Sequence, residues 1–125
     1  MKGLLLVAHG SGMEAAKHEI LNLAGKLRET MSRQYGVISA AFLQRASPSI
    51  SEAIQDQVDR GVKEIVVVPY LLATGRHVAE DIPEALDRFR KSDPDLSISV
   101  VPHIGAAVGM PALIRNHVED PPAKG

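Results

Sequence analysis

The chain has no cysteine and no tryptophan, and aromatic residues make up only 3% of its 125 positions. The lack of cysteine excludes disulfides, thiolate zinc sites and cysteine nucleophiles. So few aromatics leave little on which single-stranded nucleic acid could stack. Neither sign of charge is in excess: 14 Lys and Arg stand against 15 Asp and Glu, a net charge of −1. That balance argues against a general nucleic-acid binder and against a polybasic membrane surface. No stretch approaches the roughly 18 continuous apolar residues of a membrane span. The short apolar run after Lys2 leads into a polar Gly-Ser turn, so it reads as a core strand rather than a signal segment. Together these absences lead us to expect a cytoplasmic chain with neither nucleic acid nor membrane as partner.

What is present is a regular alternation. Residues 3–8 are continuously apolar, as a strand buried on both faces requires. From 14 to 33 the pattern switches to helical period, with Ala16, Ile20, Leu23, Ala24, Leu27 and Met31 on one stripe and Lys17 among the polar residues off it. Val37 to Leu43 is a second strand. Ser47-Pro48 reads as a helix start, with Ser47 as N-cap and Pro48 in the first helical position. Ile50, Ala53, Ile54 and Val58 form the stripe of that helix, and Gly61 stops it. The β-branched residues 63–68 make a third strand. A third helix is expected near 79–91, with Pro83 in its first turn or breaking it. A fourth strand at 96–101, an exit loop and a short helix near 109–118 follow. The pattern predicts one α/β domain over 1–118, a three-layer doubly wound fold on a four-stranded parallel sheet, and a disordered tail at 119–125.

On that scaffold the chemically capable residues fall at one edge. His9 follows the first strand, Gln44 and Arg45 the second, Arg76 and His77 the third with its loop, and His103 the fourth. Three of the five histidines thus reach the carboxyl edge of the sheet, where open α/β sheets build their sites. His18 and His117 fall within helices on mostly polar faces and read as solvated. Gly10-Ser11-Gly12 allows close approach of a ligand after His9 and, alternatively, cradles a phosphate at a helix N-terminus. The dinucleotide fingerprint is poorly matched, because Gln44 rather than an acid ends the second strand. No Walker Gly-Lys-Ser/Thr and no Gly-x-Ser-x-Gly elbow is present. Glu80 and Asp81 follow His77 by three and four positions, so on a helix they would share its face and orient its ring or complement the helix dipole.

Three segments resemble the class II tetrapyrrole chelatases, and most closely the short CbiX-type sirohydrochlorin cobaltochelatases. They are Leu6-Val7-Ala8-His9-Gly10-Ser11, Phe42 to Ile50 through Gln44-Arg45, and Val68 to Pro83 through Gly75-Arg76-His77. The resemblance spans residues 3–118. It implies insertion of a divalent metal into sirohydrochlorin, with Co²⁺ first and Fe²⁺ or Ni²⁺ as other metals, toward cobalamin or siroheme. His9 and His77 map onto the family's metal-facing histidines, and no permanently bound cofactor is implied. Larger relatives carry two such domains facing a cleft, so a chain of this length is expected to pair as a homodimer.

One departure stands out. Many relatives have a glutamate where this chain has Gln44, and a neutral amide accepts no proton. A non-catalytic carrier of metal or tetrapyrrole is therefore the competing expectation. Two imidazoles suit cobalt, iron or nickel better than magnesium, and an imidazole can both ligate and carry a proton at neutral pH. Ser11, Gln44, Arg45 and Arg76 are expected at the substrate, the two arginines because a guanidinium pairs with carboxylates bidentately. Leu71 and Leu72 either lie against the macrocycle or simply pack the loop.

Overall fold

The computed structural model describes residues 1–120, apart from the side chains of His77 and Ala79. Four parallel strands, β1 (Lys2–Ala8), β2 (Val37–Phe42), β3 (Glu64–Pro69) and β4 (Ser97–Val100), lie in the order β2-β1-β3-β4. Leu5 sits between Ser39 on one side and Val67 on the other, which places β1 at the centre. Four helices connect and follow the strands: α1 (Glu14–Met31), α2 (Ile50–Asp59), α3 (Arg76–Ser92) and α4 (Met110–Glu119). A 3-10 turn at Ile104–Ala106 precedes α4. None of the described helices is long and apolar enough to cross a membrane.

Alternation along β1 divides the core into two layers. Leu4 and Leu6 point to one face and pack with Ile38, Ala40 and Ala24 of α1. Leu5 and Val7 point to the other and join Ile54 of α2, Leu86 of α3 and Ile65 and Val67 of β3. Because β1 is covered on both faces, six of its seven residues are buried, as the continuous apolar run requires. Side chains tie the layers together. Arg28 of α1 donates from Nε and Nη2 to the Ile38 carbonyl at 3.0 and 2.7 Å. Fully buried Gln57 of α2 donates to the Leu4 carbonyl at 3.1 Å and the Ser39 hydroxyl at 2.8 Å.

Three expectations are corrected. Helix α2 is capped by Ser49, not Ser47: the Ser49 hydroxyl accepts from the Glu52 N–H at 3.2 Å, and Glu52 accepts from the Ser49 N–H at 2.9 Å. That reciprocal pair satisfies two end donors at once, which a cap two residues earlier has no acid to match. Helix α3 begins at Arg76, so Pro83 stands inside it rather than in its first turn. Ile82 and Leu86 flank that proline and are both buried, so packing outweighs the lost backbone donor. Helix α4 runs through Glu119, past the expected start of the tail; the rest of the expected tail, 121–125, lies outside the described residues.

Candidate functional site

Pairing between β1 and β2 continues past the strand ends and builds the site. The Leu43 N–H donates to the Ala8 carbonyl at 3.0 Å, and the Gln44 N–H to the His9 carbonyl at 3.2 Å. These bonds set His9 and Gln44 side by side. The amide nitrogen of Gln44 lies 3.3 Å from Nε2 of His9, so with its proton on Nδ1 the imidazole accepts from the amide. Gly10 makes the approach possible. Its φ is +92°, and a β-carbon there would collide with the Gln44 carbonyl. The Tyr70 N–H donates to the Val7 carbonyl at 2.7 Å, which brings the loop after β3 to the same edge.

A cavity of about 440 Å³ opens beside His9 between this edge and the first turns of α1. Its walls are largely apolar, from Ala8, Ile20, Phe42, Leu71 and Leu72, with the polar groups of His9, Ser11, Lys17, Glu19 and Tyr70 among them. Ser11 also accepts from the Met13 N–H at 3.2 Å, which holds the turn into α1. The loop wall is braced from behind: the Gly105 N–H donates to the Leu71 carbonyl at 3.0 Å, and a β-carbon on Gly105 would strike the Leu72 carbonyl.

The expected residues do not all converge on this cavity. His9 and Ser11 line it, and Gln44 touches His9. Arg45 is exposed, with a left-handed φ of 56°, and is not among the cavity residues. Arg76 opens α3 with its side chain 93% exposed, 3.9 Å from Glu80. His77 follows it in the first helical turn, and its side chain lies outside the described residues. His103 is half-buried at the start of the 3-10 turn. His18 and His117 are exposed, as expected. Among the described residues no group of three or more His, Cys, Asp or Glu is placed to hold a metal ion.

Lys17 and Tyr70 were missed by the sequence reading. Lys17 is half-buried in the cavity wall, and its ammonium makes no ion pair among the described residues. Its position on the shoulder of the apolar stripe, one turn from the Gly10-Ser11-Gly12 entrance, was the available signal. Tyr70 directly follows β3 and carries its ring to the cavity.

Comparison with known proteins converges on one family. The CbiX family model matches residues 3–121. The sirohydrochlorin cobaltochelatase of Saccharolobus islandicus (strain L.S.2.15 / Lassen #1) is 40% identical over 86 residues, covering 69% of this chain and 64% of that protein. The sirohydrochlorin cobaltochelatase of Methanocaldococcus jannaschii is 34% identical over 86 residues, covering 69% and 59%. This chain thus spans less than two thirds of the length of these curated relatives. Among solved structures, a cobalamin biosynthesis CbiX protein of Marinobacter aquaeolei VT8 superposes with a TM-score of 0.81 at 26% identity, covering 96% of both chains. The sirohydrochlorin chelatase SirB of Bacillus subtilis subspecies spizizenii, in complex with cobalt, gives 0.81 at 28% identity, covering 95% of this chain and 50% of SirB. With the family model matched over nearly its whole length and the fold shared end to end with a CbiX structure, this chain belongs to the CbiX family.

Proposed function

We propose that this chain is a sirohydrochlorin chelatase domain, folded as one unit, that inserts Co²⁺ into sirohydrochlorin in the cytoplasm as one half of a homodimer, with Fe²⁺ the next metal. The observation that carries the reading is His9 at the mouth of a largely apolar cavity on the carboxyl edge of the sheet. Its relatives support it: curated family members are sirohydrochlorin cobaltochelatases, and SirB has been solved with cobalt and with Fe³⁺.

The chemistry exchanges two pyrrole N–H protons for one divalent cation. A tetrapyrrole presents an apolar face and a rim of carboxylates. Leu71, Leu72 and Ile20 suit the face, and Lys17 is placed to pair with a carboxylate at the rim. Arg45 and Arg76, exposed at the edge, are assigned to carboxylates outside the cavity. His9 and His77 are assigned to deliver the metal. A site with few ligands favours release into the ring, since a metal held by many would stay on the protein. Gln44 bears no charge and accepts no proton, so the protons pass to an imidazole, to the carboxylates of the macrocycle or to water. Its amide fixes the tautomer of His9 and must turn aside before Nε2 can take a metal.

Anaerobic absorbance of sirohydrochlorin with Co²⁺ and catalytic protein tests the proposal. Conversion to the metallated spectrum over many turnovers, faster than the spontaneous reaction, is expected; repeating it with Fe²⁺ and Ni²⁺ ranks the metals. Stoichiometric binding without acceleration for all three would replace the reading with a carrier of metal or tetrapyrrole, which the neutral Gln44 beside His9 favours.

A further inference from the structure

Helix α1 carries opposite charges on the two shoulders of its apolar stripe. Ile20, Leu23, Ala24 and Leu27 pack against the sheet. Lys17 and Glu19 are two residues apart, about 200° around a helix, so they flank that stripe on opposite sides. Both line the cavity beside His9. They are turned away from each other, and the Glu19 carboxylate makes no ion pair among the described residues.

Glu19 also stands where two cavities meet. A more polar trough of about 270 Å³ continues from it along α1, lined by Glu19, Asn22, Leu23, Lys26 and Tyr70. Glu19 and Tyr70 belong to both spaces. Asn22 and Lys26 are exposed, so the trough is open to water. Among the described residues, Glu19 is the one carboxylate that lines either space. Gln44, in contact with His9, offers no base there. A disc-shaped macrocycle in the apolar cavity displaces most of its water and leaves the trough wet. Protons leaving the ring then need a group that reaches both.

We infer that Glu19 is the proton exit of this site, passing the pyrrole protons from the cavity to solvent in the trough. This deepens the chelatase reading and rests on it. Each N–H bond breaks with its electron pair left on nitrogen, where the pair binds the entering cation. The proton passes through a cavity water to the Glu19 carboxylate, which becomes a neutral carboxyl. That carboxyl gives its proton to water in the trough and is a carboxylate again for the second proton. The other titratable groups that share the two spaces are His9, Lys17, Lys26 and Tyr70. His9 is assigned to the metal, and an ammonium and a phenol hold their protons at neutral pH. The carboxylate is left as the group able to take a proton and release it.

Chemical rescue of the full chain tests the exit. Glu19 is exposed, so Glu19→Gln and Glu19→Ala should fold as the wild type does, by circular dichroism. Each is expected to lower kcat for Co²⁺ insertion about a hundredfold, with KM for sirohydrochlorin and for Co²⁺ little changed. Acetate should restore the rate of Glu19→Ala in proportion to its concentration, because a free carboxylate then fills the vacated space. Chloride at equal ionic strength should not, and acetate should leave the wild type unmoved. Full kcat in both variants, or a lowered kcat that acetate does not restore, would overturn the proposal and leave the chelatase reading in place. A loss overcome by more Co²⁺ would also overturn it and make Glu19 a guide for the cation. A wild type that binds sirohydrochlorin without turning it over would instead overturn the chelatase reading, and the proton exit with it.

Discussion

The two faces of the sheet are finished differently. The face under α2 and α3 is closed: Leu5, Ile54, Ile65, Val67 and Leu86 are fully buried there. The face under α1 is closed over β1 and β2 and open over β3 and β4, where Val66 and Val68 stay half-covered. The cavity beside His9 opens on the α1 side, with α1 as one wall. One face therefore supplies stability, while the other leaves apolar surface and a cavity open. Substitutions on the closed face should change stability first, and those at the open face should change function with the fold intact.

The strongest separation is expected at His9. It is exposed, so His9→Ala should leave the unfolding transition unmoved while lowering metal insertion at least about a thousandfold, or ~4 kcal/mol. Full activity in this variant would remove His9 from the chemistry. Leu86→Ala is the opposite case. The side chain is fully buried in the closed layer, and its truncation should cost about 2–5 kcal/mol by urea denaturation. The fraction still folded should insert metal at the wild-type rate.

Lys17 tests the boundary between the faces. If its ammonium pairs with a rim carboxylate, Lys17→Ala should raise KM for sirohydrochlorin about tenfold, ~1.4 kcal/mol, with kcat little changed. Lys17→Arg, which keeps the charge, should recover most of that loss. Equal KM in all three proteins would make Lys17 an ordinary wall residue.

How much of this was legible depended on whether a feature was local. β1 and β3 announced themselves through apolar runs, and the alternation of strands with helices led to the parallel sheet and to the edge that holds His9 and Gln44. Their direct contact was not legible, because it depends on pairing that continues beyond the strands and on the collision a side chain at Gly10 would cause. Lys17 was hidden for a similar reason. A helical stripe shows which way a core lies, but a cavity at the end of the helix takes its walls from the shoulder of that stripe and from a loop about fifty residues away. Helix α4 was expected near 109–118, but its lack of cover was not legible: Leu113, Ile114 and Val118 stay exposed. Arg45 and Arg76 were placed correctly along the chain and yet stand outside the cavity, since an edge position fixes the backbone and not the reach of a long side chain.

The start of α2 shows how a local signal can be present and still be misassigned. Ser47-Pro48 was the expected start, yet Ser49-Ile50-Ser51-Glu52, two residues on, carries the acid three residues after its serine that completes a capping box. In the fold, the Ser49 N–H and then the Ser49 hydroxyl stabilise the Glu52 carboxylate and lower its pKa from the ordinary 4.5. A carboxyl held lower in the folded state binds fewer protons there than in the unfolded chain. Its contribution is therefore complete above 4.5 and is lost as the pH falls through the lowered folded value. Glu52 is fully solvent-exposed, so the effect should be the smallest of the four. Glu52→Gln should lower the melting temperature slightly at pH 7, and the gap to wild type should close in acid. A gap that persisted below pH 3 would show that the side chain caps α2 through its shape and neutral hydrogen bonding rather than its charge.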